Sequence, residues 1–211
     1  MTPTNLEQIS SLYNTYNEVI KPLIALYEAR EEQFPTPVFN EIRAFNDHIA
    51  KCHLKKIDSN QINEEIKLAE RHIFRIIFDC YKFLNVSFHK EISEFENENR
   101  NIDLTIIDNG EFYPKYKKLK ESAVQSVRAA KKVESLDIQK SFTNYENAFN
   151  AYSELVELIS QKGTDVRWAR NKLRIKRVLK IILWVLSACL SGLVSLFFTC
   201  ESIENFVLSL F

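Results

Sequence analysis

The chain has 211 residues, 45% of them apolar and 27% charged, and its 28 basic and 28 acidic residues balance to a formal net charge of zero. Its three glycines, Gly110, Gly163 and Gly192, form no glycine-rich loop, which excludes phosphate cradling by a P-loop or Rossmann turn. Four cysteines (Cys52, Cys80, Cys189 and Cys200) show no paired spacing, so no disulfide framework is expected.

The opening MTPTNLEQ lacks a basic n-region and an apolar h-region, so no cleaved signal peptide is expected. The first predicted helix runs from Thr4 to Gln33. Its apolar positions Leu6, Ile9, Tyr13, Tyr16, Ile20, Leu23 and Tyr27 alternate spacings of three and four, and Pro22 predicts a kink or break near Lys21. A second helix opens with Thr36 as N-cap and Pro37 at the first helical position, and continues the rhythm through Val38, Ile42, Phe45, Ile49 and Cys52. The third is the longest, from Asn60 to Asn99. Ile62, Ile66, Ala69, Ile73, Ile76, Cys80 and Phe83 form a heptad seam, while Phe74, Ile77, Phe78 and Tyr81 add apolar surface on other sides. A helix apolar nearly all round is buried nearly all round, which places residues 73–88 at the centre of the domain. Asn85-Val86-Ser87 matches a glycosylation sequon, but on a cytosolic helix it would not meet the enzyme.

Arg100 to Gly110 is a break ending in the turn Asp108-Asn109-Gly110, with Ile102 to Ile107 either a short strand or a packed extended loop. A fourth helix covers Tyr113 to Glu134 and a fifth Asp137 to Lys162, where Ile138, Phe142, Tyr145, Phe149, Tyr152, Val156 and Ile159 give a clean seam. Gly163 fits a C-terminal cap, and Thr164 or Asp165 then caps a last helix that continues into a membrane. The expected fold is all-α: an antiparallel helical bundle with coiled-coil-like packing, then a transmembrane helix. About 165 residues are enough for one domain with a real core. The expected divisions are a cytosolic bundle over 1–163, a basic juxtamembrane helix over 164–180, a transmembrane helix over 181–200 and a short far-side tail over 201–211.

The span is the most informative segment. Ile181 to Cys200 (IILWVLSACLSGLVSLFFTC) carries no charge, and twenty such residues cover about 30 Å as a helix, the thickness of a bilayer's hydrocarbon core. Arg167, Arg170, Lys172, Arg174, Lys176, Arg177 and Lys180 precede it without an acidic interruption, and Glu201 and Glu204 follow. The positive-inside rule then puts the N-terminal body in the cytoplasm, with the seven basic residues at anionic headgroups. The chain reads as tail-anchored and single-pass. Positions 1–165 hold 21 basic and 26 acidic residues, a mildly acidic body on a basic neck. The last residues, Ile203 to Phe211, are apolar but too few to cross back.

Within the span Ser187, Ser191, Ser195 and Thr199 recur every four residues, with Ala188 and Gly192 as a small-xxx-small pair beside them. Small residues let transmembrane helices approach closely and hydroxyls bond across the interface, so self-association into a homo-oligomer is expected. The alternative is that each serine bonds its own helix. In a larger ring the stripe would line a pore.

The body offers weaker signals. Glu41, Arg43, Asp47 and His48 crowd the polar side of the second helix, and Arg71, Arg75 and Asp79 that of the third. They read either as a solvated face, with Arg43–Asp47 and Arg75–Asp79 as i, i+4 pairs, or as a polar groove for a ligand or protein partner. His48, Cys52 and His53 with His72, Cys80 and His89 are the nearest thing to a metal cluster, but both cysteines fall on apolar seams, where cysteine packs as a small hydrophobe. No metal, cofactor or enzyme chemistry is expected. Lys115, Lys117, Lys118, Lys120, Arg128, Lys131 and Lys132 make the fourth helix basic, a solvated face or a surface for nucleic acid, a nucleotide or headgroups.

In its helical cytosolic body, terminal span and FPTPVFNEIRAFNDHIAKC stretch, the chain resembles the small membrane effectors of bacterial anti-phage defence, of retron or cyclic-oligonucleotide systems. The resemblance implies a bacterial inner-membrane protein acting in abortive infection by opening or damaging that membrane. Many such effectors carry two or more spans. A single span forms a pore only as an oligomer. The alternative is a non-catalytic scaffold or adaptor in which the span merely holds an interaction domain at the bilayer.

Overall fold

The structure is a computed structural model that describes residues 2–54 and 58–208, with the backbone alone for 197–207. The described residues form seven α-helices and no strand: α1 (Pro3–Thr15), α2 (Lys21–Glu31), α3 (Thr36–Lys51), α4 (Ser59–Asn99), α5 (Phe112–Val133), α6 (Ile138–Gln161) and α7 (Gly163–Leu208). They fall into two compact units, residues 1–100 with 113–161, and residues 101–112 with 162–211.

In the first unit, α1 and α2 make up the single first helix read from the sequence, joined by a π-helical turn over Tyr16–Ile20. Pro22 has no N–H to give Glu18, so the ladder widens just before it, and Lys21 N–H reaches back to the carbonyl of Tyr16. The expected discontinuity is therefore a π-turn rather than a break. At α3 the boundary differs by one residue: Pro35 holds the N-cap position and Thr36 is already helical, with no side-chain cap. α4 starts with a reciprocal box, in which Asp58 accepts from Gln61 N–H at 2.8 Å and Gln61 accepts from Asp58 N–H at 3.1 Å.

Pair contacts fix the directions of these helices. Asn5 meets Asn63 and Arg30 meets Ser87, so α1–α2 run parallel to α4. His48 meets Glu65 while Glu41 meets His72, so α3 is antiparallel to it. Glu96 meets Tyr116 and Lys82 meets Glu134, so α5 is also antiparallel, and Phe74–Phe142 with Tyr152–His89 makes α6 parallel again. With α1–α2 counted as one arm, consecutive arms of the first unit thus reverse direction, giving an up-and-down bundle organised on α4.

The core follows the α4 seam. Ile62, Ile66, Ala69, Ile73, Ile76, Cys80, Leu84, Phe88 and Ile92 are buried, as are Val38, Phe45 and Ile49 of α3 and Tyr145, Ala148, Tyr152 and Leu155 of α6. An aromatic ladder joins α4 to α6: Phe74 stacks on Phe142 at 5.0 Å, Tyr81 lies 5.1 Å from Phe149, and Phe88 lies 6.4 Å from Tyr152. Arg30 of α2 lies over the Phe88 ring at 4.0 Å while its Nε donates to Ser87 at 2.9 Å.

In the second unit the segment left open as strand or loop, within Leu104–Gly110, is 3₁₀ backbone interrupted by a kink at Ile107 to Asn109, entered through Asp103, whose carboxylate accepts from Thr105 N–H at 3.0 Å. Asp108, Asn109 and Gly110 take left-handed φ of 53°, 53° and 94°. The start of α7 packs on this turn, where Ile107, Phe112, Val166 and Ala169 are buried and Lys162 pairs with Asp108 at 2.8 Å. Gly163 is the first residue of α7 rather than a helix-ending cap, and its backbone is not left-handed. Thr164 and Asp165 accordingly lie inside the first turn, where the Asp165 charge favours the helix N-terminus.

Candidate functional site

The polar face shared by α3 and α4 is built from one spacing used twice. Glu41 and His48 are seven residues apart on α3, and so are Glu65 and His72 on α4. Seven residues are two helical turns, so each Glu lies on the same face as its His. With the helices antiparallel, each Glu meets the other helix's His: His48 Nδ1 is 2.5 Å from Glu65 Oε2, and His72 Nδ1 is 2.5 Å from Glu41 Oε2. The two imidazoles stack, 5.1 Å apart at 22°. All four side chains are largely covered, between 16% and 25% exposed. They bridge the seam between the helices. Each ring is bonded to a carboxylate, and among the described residues neither is bonded to a hydroxyl or thiol that would serve as nucleophile.

Other residues singled out on this face do not join it. Arg43, Arg71 and Arg75 are exposed. Asp47 bonds Lys51 at 2.8 Å instead of Arg43, and the Lys51 hydrogen bond and charge hold its carboxyl below the usual range. No Arg75–Asp79 ion pair forms among the described residues. Asp79 is half-buried, and burial pushes its carboxyl up against the opposing charges of Lys82 and Arg75. The sequence reading missed Glu65. The repeated Glu-x₆-His spacing was the signal that would have found it.

Cys52 and Cys80 are both buried. The Cys52 thiol donates to the carbonyl of His48 at 3.4 Å, and burial pushes the Cys80 thiol up to about 12, leaving a packed, protonated side chain. No three His, Cys, Asp or Glu side chains among the described residues are placed to share a metal ion.

The basic charge of α5 is partly spent in ion pairs. Lys120 joins Tyr116 on the carboxylate of Glu96, and Lys117 lies 3.8 Å from Glu121. Arg128 and Lys131 have no ion-pair partner among the described residues.

α7 carries the membrane signal. Its stretch Gly163–Leu196 contains an 18-residue window of mean hydropathy 2.1, none of it buried, long and apolar enough to cross a membrane. Every described side chain from Arg174 to Leu196 is exposed, among them Ile181, Leu183, Trp184, Leu190 and Leu193. Single exposed apolar residues are ordinary, but a continuous run of them is not. Of the neck cations, Arg167, Lys172, Arg174, Lys176, Arg177 and Lys180 are exposed and Arg170 is half-buried. Lys172 lies 4.6 Å above the ring of Trp168, itself half-exposed.

On the span, Ser187, Ala188, Ser191, Gly192 and Ser195 are exposed, and a Cβ at Gly192 would meet nothing within 4 Å. Ser191 Oγ donates to the carbonyl of Ala188 at 2.9 Å, inside its own helix. The side chain of Thr199 lies outside the described residues, as do those of the tail apart from Leu208.

No family model matches the chain, and no curated protein or solved structure does so either.

Proposed function

We propose that this protein is a single-span membrane effector in which the helical bundle controls association of α7 and the associated helices permeabilise the membrane, in anti-phage defence by abortive infection. One observation carries the membrane part of the reading: the unbroken exposure of the uncharged residues Ile181 to Leu196 on a 46-residue helix. Such a surface is stable in lipid, not in water. The neck cations ahead of the span and the two glutamates after it favour a cytoplasmic bundle, and the bacterial inner membrane rests on the resemblance to anti-phage effectors alone. The open small-residue face at Ala188, Ser191, Gly192 and Ser195 supports contact between copies.

The Ser191 hydroxyl, already bonded within its own helix, favours a second reading: a non-catalytic scaffold whose span is only an anchor that holds a protein partner's docking domain at the membrane. Inducible expression in bacteria separates the two. Growth and membrane potential are followed for the full chain, for a truncation ending at Gly163, and for Ser187→Leu, Ser191→Leu and Ser195→Leu combined. The effector reading expects depolarisation and arrest from the full chain alone, abolished by the three substitutions. Polarised, growing cells with the protein in the membrane favour the scaffold.

A further inference from the structure

Between α4, α5 and α6, within the first unit, lies a cleft of about 410 Å³, in the size range of small-molecule sites. Tyr145 and Tyr152, both almost fully buried, and Asn85 contribute its lining, with Val86, Val124 and Val127. Lys82, His89, Arg128 and Lys131 complete it.

Two features point to an occupant. Asn85 is 3% exposed, and its Nδ2 donates to the carbonyl of Tyr145 at 2.9 Å, which fixes the orientation of the amide. Its Oδ1 is buried without any hydrogen-bond partner. A buried acceptor left unsatisfied is costly, and one lining a cleft is an acceptor for a ligand's N–H or O–H. The second feature is charge. Lys82 is neutralised by Glu134, which also accepts from Tyr145 at 3.0 Å. Arg128 and Lys131 form no ion pair among the described residues, and Lys131 acts on Glu134 only as a more distant charge, so the cations of the cleft outnumber the one carboxylate beside them. Val86, at 69% exposure on the central helix, leaves apolar surface uncovered there.

We propose that this cleft binds a small anion with a flat, apolar body and a hydrogen-bond donor: the charge is held by Arg128 and Lys131, the body by the valines and tyrosines, and the donor by Asn85 Oδ1. The site belongs to the bundle and stands whether or not α7 permeabilises membranes.

The test is titration calorimetry on the full chain in nanodiscs. Three probes are compared: adenosine monophosphate (ring with phosphate), indole-3-acetate (ring with carboxylate and N–H) and inorganic phosphate alone. At least one ring-bearing anion should bind one to one, at least tenfold more tightly than inorganic phosphate. Preference for the nucleotide assigns a phosphate ester and preference for the indole a carboxylate. Arg128→Gln with Lys131→Gln, both exposed positions where folding is undisturbed, should weaken binding at least tenfold. Val127→Trp, which fills the cleft and keeps its charge, should abolish it, with circular dichroism unchanged. Ring-bearing anions that bind no better than phosphate, or binding that survives both the charge pair and the filled cleft, would overturn the proposal.

Discussion

Leu84 is fully buried on α4, between the helices that α4 organises. Replacing it with alanine removes one methine and two methyl carbons and leaves a hole that a close-packed bundle closes only in part. Leu84→Ala should destabilise the bundle by about 2–5 kcal/mol, read as a lowered denaturant midpoint with unchanged slope. Asp79 has the opposite sign. Burial raises its pKa from 3.8, with Lys82 and Arg75 opposing and Glu41 and Glu134 adding to the rise. The folded state therefore holds the Asp79 proton more tightly than the unfolded chain does. Ionised Asp79 costs stability at neutral pH, and the cost disappears as pH falls below the unfolded value of 3.8. Asp79→Asn should raise the thermal midpoint at pH 7 and lose that advantage toward pH 4. An equal gain at both pH values would show that the effect is not ionisation. The signal for this group was invisible in sequence, where Arg75 four residues earlier suggested an ion pair. Which charges face Asp79 depends on Glu41 of α3 and Glu134 beyond α5, neither of them near it in the chain.

Among the elements, α4 depends most on its start. Forty-one residues propagate from the box between Asp58 and Gln61, which satisfies two backbone donors that the helix itself leaves orphaned. Asp58→Ala should cost about 0.5–2 kcal/mol, with hydrogen-exchange protection lost first over the opening turns and little changed near Leu84. Helix existence was legible throughout, since three- and four-residue apolar spacing continues whatever the neighbours do. The details that shifted were local backbone conformations. Pro22 took a π-turn because the chain on both sides is held in one direction by packing on α4. Gly163 took a helical start because Lys162 and the buried Val166 and Ala169 tie the first turn of α7 to the 104–110 segment.

For the whole molecule, the exposed run of α7 sets the environment in which the protein is stable. Two arginines at the middle of the span, Leu186→Arg with Leu190→Arg, each carry an insertion cost of about 2.5–3.5 kcal/mol. The pair should move the protein from the membrane pellet to the soluble or aggregated fraction, while circular dichroism of the bundle persists. Membrane retention of the double variant would argue against a bilayer as what covers Ile181 to Leu196. The same helix shows why a long apolar stretch is easier to read than a cleft: its signal is a sum over consecutive residues, independent of fold.

Beyond Cys80 the buried seam position is Leu84 rather than the expected Phe83, but by itself the sequence determined the helical class, the order of the long helices, the α4 seam from Ile62 to Cys80 and the one apolar stretch fit to cross a membrane. Each follows from spacing or composition within a single segment. Only the tertiary structure decided that Glu41 meets His72 and Glu65 meets His48, that Lys82 is cancelled by Glu134, and that Asn85 lines a cleft with an acceptor unmet. Those facts depend on register between helices distant in the chain, and register is set by how the buried faces interlock rather than by any one of them alone.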